Sequence, residues 1–118
     1  MAYYVEGFVV PVPTDKLAAY KKLARMAGTI FKEHGALSVT ECLADDVKPG
    51  KWTSFPQSVK LKEGETVVFS WITYTSRKHR DSVNAKVMQD PRMPTDPKSF
   101  PFDSKRMIFG GFKTIVEL

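Results

Sequence analysis

The apolar residues of this chain recur first at every second position, then at every third and fourth, then again at every second, and each change of period marks an element. Residues 3–12 (YYVEGFVVPV) are rich in β-branched and aromatic side chains and predict a first strand, closed by Pro11 and Pro13. Thr14 then offers an N-cap, with Asp15 well placed at the positive end of the helix dipole. Leu17, Tyr20, Leu23, Ala24, Ala27, Ile30 and Phe31 follow at helical spacing, and Gly35 stands where a helix ends in a left-handed residue.

Beyond Gly35 the period returns to two. Leu37, Val39, Glu41 and Leu43 alternate with Ala36, Ser38, Thr40 and Cys42, which predicts a half-buried strand with Glu41 in its apolar phase. Residues 48–65 mix proline, glycine and charge and read as a long connection with one helical turn near residues 55–59. Residues 66–75 (TVVFSWITYT) form a third strand, after which Ser76 caps a second helix that must stop before Pro91. Pro94, Pro97 and Pro101 keep the next segment irregular. Residues 106–118 complete the set as a fourth strand, in which Gly110 and Gly111 predict a bulge or a close backbone approach.

The order strand, helix, strand, strand, helix, strand is the ferredoxin-like βαββαβ arrangement, an α+β fold with a four-stranded antiparallel sheet, and residues 1–118 make one domain. Both helices of that arrangement cover the same face of the sheet. Yet the strands are apolar in both phases: Val67, Phe69 and Trp71 alternate with Val68, Ile72 and Tyr74, and Met107, Phe109 and Ile115 with Ile108, Phe112 and Val116. A face turned to water would carry polar residues. At about 25 cal/mol per Å², a few hundred Å² of such surface represents several kcal/mol of gross burial, so a homodimer packed sheet to sheet is expected.

Charge and cysteine usage narrow the setting more than the chemistry. A net charge of +5 favours anionic partners without naming one, and the basic ridge Lys21, Lys22, Arg25 and Lys32 reads first as a solvated helix face. The single cysteine, Cys42, builds no disulfide framework and reads as a small buried hydrophobe, and no Cys/His spacing suits a metal. The first residues have neither a signal peptide's basic start nor the length of a membrane span, so a cytoplasmic protein without a membrane partner is expected.

The candidate chemistry lies on the second helix and the strands beneath it. His79, Val83 and Val87 share one helical line, and Arg80, Asn84 and Met88 the next, so polar groups face the sheet beside the apolar stripe. Glu6 and Glu41 stand among apolar neighbours in their strands. There a carboxylate either acts as a base with raised pKa or pairs with Arg80 as an inert ion pair. His79 suits acid-base work, whereas His34, in the last turn of the first helix, suits the dipole's negative end. His79, Glu6 and Glu41 are thus the catalytic candidates. Arg80, Asn84, Trp71, Tyr74 and Arg106 are the ligand-binding ones, Trp71 and Tyr74 as pocket aromatics and Arg92, Lys105 and Arg106 as anion holders beside the proline-rich loop. No metal or other cofactor is expected.

The segments GFVVPVP (7–13), FKEHGAL (31–37), ETVVFSW (65–71), RDSVNAKVMQDPRM (80–93) and FDSKRMIFGGF (102–112) together resemble the uncharacterised YbaA-like family of small bacterial proteins. The resemblance covers nearly the whole chain and departs at Ser104, where a turn glycine is expected. It implies the dimeric α/β-barrel superfamily, whose members include cofactor-free monooxygenases, isomerases and haem-binding proteins, and so implies no single activity. The expected function is binding, with or without transformation, of a small organic molecule between helices and sheet. The competing reading is a structural dimer whose inward polar residues only fix the helix. Nucleic-acid binding comes a distant third, because strand TVVFSWITY lacks the glycines and basic start of an RNA-recognition motif.

Overall fold

The computed structural model describes residues 2–118. Its strands are β1 (Tyr4–Pro13), β2 (Ser38–Leu43), β3 (Glu65–Tyr74) and β4 (Ile108–Lys113); its helices are α1 (Leu17–Glu33), the single turn α2 (Phe55–Ser58) and α3 (Arg77–Met88). The strands form one antiparallel sheet in the order β2-β3-β1-β4, the ferredoxin-like order, with α1 and α3 as the crossovers.

Local signals account for most of the boundaries. Gly35, with φ +116°, ends α1, and the amide of Ala36 reaches back to the carbonyl of Phe31. Ser76 caps α3 by accepting from the His79 amide at 3.0 Å, and Ser54 caps α2 through the Gln57 amide. Ser104 is outside the positive-φ region, as the missing turn glycine implies.

Strand β1 includes Pro11, as its pattern predicts; β4 pairs only as far as Val9, so beyond it β1 is an edge on that side and tolerates a residue without an N–H. Three expectations need correction. Thr14 does not cap α1. Its hydroxyl donates to the Gly64 carbonyl, and a 3-10 turn, Thr14–Lys16, precedes the helix. Strand β4 is half the length expected, leaving Ile115 and Val116 beyond it and exposed, and Gly110 and Gly111 pair in continuous register with Gly7 and Glu6, without a bulge. Cys42 is exposed, because β2 is an edge strand and Cys42 lies on the face away from the helices, opposite Phe69.

The helix-facing phase holds most of the core. Val10, Val12, Val68 and Tyr20 pack at the start of α1, and Ile30, Ala36, Ile72, Tyr74, Val83 and Val87 pack where α1 meets α3. On the opposite face only one end is covered: Val59 and Leu61, following α2, close over Val9 and Val67. The remainder of that face is an apolar groove of Val5, Trp71, Phe69, Ile108 and Phe112, of which Phe112 is 64% exposed.

Candidate functional site

The polar groups expected in one site divide into two. Beneath α3, Arg80 Nη1 donates to Glu6 Oε1 at 2.8 Å, with both side chains largely buried, and Arg80 Nε donates to Asp81 at 2.7 Å. The guanidinium also lies 5.1 Å from the centre of the Tyr4 ring. Gly111 makes this possible, since a Cβ there would collide with the Tyr4 hydroxyl and come within 2.7 Å of Arg80 Nη1. This is the close approach that the glycine pair predicts.

The remaining α3 candidates complete the same cluster. Tyr74, fully buried, sits edge-on to His79 and brings its hydroxyl to 3.5 Å from Asn84 Oδ1. Burial first, and the Glu6 charge second, push the Tyr74 hydroxyl's pKa up, so it keeps its proton. His79 Nδ1 accepts from the Thr75 amide at 3.0 Å, which leaves the ring proton on Nε2 and pins the imidazole against the helix start. Every buried side-chain nitrogen and oxygen among the described residues has a hydrogen-bond partner. The α3 cluster therefore has the character of a closed, paired network.

Glu41 stands apart, under α1. A cavity of about 220 Å³ opens there between α1, the sheet and the segment after α3. Its walls are apolar: Phe8, Val10 and Ile72 from the sheet, Leu23, Ala27 and Phe31 from α1, and Met93, Phe100 and Phe102 from the loop. One corner is polar. Tyr20 Oη donates to Glu41 Oε1 at 2.7 Å, and Ser70 adds a second hydrogen bond to the same carboxylate. Partial burial of the carboxylate, on a residue otherwise exposed at the edge strand, raises the Glu41 pKa against these two bonds, which favour the charged form. Burial also raises the Tyr20 pKa, so the proton stays on the phenol and the charge on the carboxylate. Such a corner can accept a proton, or a hydrogen bond, from an N–H or O–H group brought into the cavity.

The cavity thus lies beside the first helix, whereas the candidate residues of the second helix gather outside it. Tyr20 and Ser70 are the participants that periodicity alone passes over. Both carry a signal: Ser70 is a hydroxyl in the inward phase between Val68 and Ile72, and Tyr20 is the one hydroxyl in the apolar stripe of α1.

Of the three candidate loop cations, Arg92 and Arg106 are engaged within the molecule, while Lys105, among the described residues, donates only its backbone amide, to Asp103 at 3.0 Å. Arg106 makes a two-pronged pair with Glu65, at 2.8 and 2.6 Å, donates to Asp103 at 2.8 Å and reaches the carbonyls of Val59 and Lys60. Arg92 bridges Asp90 and Glu33, and His34 Nε2 meets Asp90 at 2.8 Å, a more specific role than a helix-end charge. Trp71 faces the open side of the sheet, away from the cavity, and packs against Phe69. No group of three metal-ligating side chains occurs among the described residues, and none of their helices is long and apolar enough to cross a membrane.

A four-stranded antiparallel sheet in this order, with two crossover helices on one face, defines a ferredoxin-like α+β protein, a class that leaves the chemistry open. Within it, the chain belongs to the family described as "Protein of unknown function (DUF1428)", whose profile matches residues 3–104. It is 54% identical over 114 residues to the uncharacterized protein YbaA of Escherichia coli strain K12, a match covering 97% of each chain, and equally similar to YbaA of Shigella flexneri. Among solved structures it is similar to the de novo designed protein Foldit4, with a TM-score of 0.45 and 12% identity over 98% of this chain and 99% of that one.

Proposed function

We propose that the protein is a cytosolic homodimer, joined through the open face of its sheet into an α/β barrel, and that each subunit binds a small organic molecule in the cavity under α1. The observation that carries the binding reading is the cavity's composition: apolar walls around one polar corner, the usual make-up of a small-molecule site. Its size agrees. An engineered apolar cavity of about 150 Å³ takes up benzene, so about 220 Å³ suits a single ring with a short substituent. Glu41 and Tyr20 supply orientation, and no reaction is assigned to them. The open sheet face supports the dimer, because its uncovered aromatic and aliphatic groove is what a second copy would bury.

The competing account, a structural dimer, draws on the closed network at Glu6 and Arg80. The two are separated by filling the cavity. Titrating the protein with 3-phenylpropan-1-ol while following amide resonances should give saturable shifts at Gly28, Val39 and Ser70, and Ala27→Leu should abolish them while the fold persists. If the wild type shows no saturable shift, and Ala27→Leu merely raises the unfolding midpoint, the cavity is a packing defect and the structural reading stands.

A further inference from the structure

Every side-chain proton at the polar corner of the cavity is already committed. The corner consists of Tyr20, Glu41 and Ser70. Tyr20 gives its one hydroxyl proton to Glu41 Oε1 at 2.7 Å, and Ser70 gives its own to the same carboxylate, which as an anion only accepts. Both hydroxyl residues are buried, at 6% and 3% exposure, so the carboxylate is held from its inner side. What the corner still offers a ligand is lone pairs, since a carboxylate has about four acceptor positions and the two hydroxyls occupy only part of them.

This sets the sign of recognition. A ketone, ester or carboxylate oxygen in the cavity would lose its hydration and find no side-chain donor, whereas an O–H or N–H would make a hydrogen bond to an ionised acceptor, the stronger kind. Charge narrows the class again. An ammonium would bring three N–H groups into a space whose other walls are apolar, leaving some of them unpaired. Lys21, Arg25 and Lys32, on the outer side of the contact between α1 and β2, also set their field against a further cation at Glu41. One hydroxyl on an otherwise apolar body meets both conditions.

Such a ligand fits within the cavity and crosses none of its walls. On the β2 side the cavity is closed, because Gly28 packs so tightly on Val39 that an added Cβ would lie 3.1 Å from Cγ1, and the Tyr20–Glu41 bond joins helix to strand. The wall that is neither helix nor strand is the connection after α3, where Met93, Pro94 and Phe102 are half-buried, and this side is left for entry.

We infer that the occupant is a neutral hydroxyl compound, its apolar body in the cavity and its single O–H donated to Glu41. This rests on the cavity being a ligand site and names the class of ligand. The test uses two isomers, 3-phenylpropan-1-ol, which has a donor, and 2-phenylethyl methyl ether, which has none, together with 3-phenylpropylamine, by calorimetric titration near neutral pH. The alcohol should bind at least about tenfold more tightly than either of the others. In Glu41→Gln, whose amide brings N–H groups to the corner, the advantage over the ether should fall below about twofold. The wild-type comparison decides alone if the variant does not fold. An ether or an amine that binds as tightly as the alcohol, or an advantage over the ether that survives in Glu41→Gln, overturns the hydroxyl assignment and leaves the cavity reading intact. Absence of binding by all three compounds overturns both.

Discussion

At the scale of single residues, the sharpest contrast is between two carboxylates that look alike in sequence. Glu6 and Glu41 each interrupt an apolar strand phase. Glu6 meets a guanidinium from a helix 74 residues away, whereas Glu41 meets a phenol and a serine at the edge of a cavity. Periodicity makes their inward orientation legible but says nothing of which helix lies above each, because that depends on how the crossovers settle on the sheet. The pairing of Glu6 has an energetic consequence. Arg80→Met leaves a buried carboxylate without its partner and should cost about 3–5 kcal/mol. The Glu6→Leu/Arg80→Met double variant should recover most of that loss. Urea unfolding of the two variants measures this, and a double variant as unstable as the single one would show that more than the ion pair is lost.

Among the elements, those with a strong local signature were legible to within a residue or two: α3 from its serine cap, α1 from its apolar stripe and terminal glycine, β3 from its unbroken β-branched and aromatic run. What local pattern left out depends on neighbours. Thr14 is drawn from capping by the Gly64 carbonyl, and β4 stops at Lys113 where the pairing with β1 ends at Tyr4. The cavity's place under α1, away from the second long helix where the pocket is expected, escaped notice for the same reason, since one wall is the irregular segment after α3. That segment is tied at one end by Arg92 to Asp90 and Glu33, and at the other by Arg106 to Glu65 and Asp103. Arg92 and then His34 hold the Asp90 pKa below its ordinary value, and Arg106 does the same for Glu65 and Asp103. Because these folded-state values are depressed, the pairs contribute fully above about pH 5 and fade as pH falls below about 4. Amide hydrogen exchange in residues 93–105, corrected for intrinsic rate, should therefore accelerate between about pH 6 and about pH 3.5 before the sheet loses protection. Loss of protection in both together would mean that the ties do not govern the segment.

For the molecule as a whole, the two-sided apolar character of the strands was the most informative feature of the sequence, and the structure leaves most of the second face bare. Phe112, on that face, and Met88, on the outer side of α3, are comparably exposed, at 64% and 83%. If two copies meet through the sheet, Phe112→Asp should sediment as a monomer while Met88→Asp remains a dimer. A wild type that is monomeric at every concentration, or a dimeric Phe112→Asp, would remove the sheet-to-sheet pairing. Cys42 lies on this same face, opposite Phe69, and is the single thiol in the chain. Were two copies to pair through this sheet, the exposed sulfur would be a natural chemical clock for assembly: dilution that freed the sheet would free the sulfur, and the rate of alkylation by a bulky maleimide would read out subunit exchange without any engineered label.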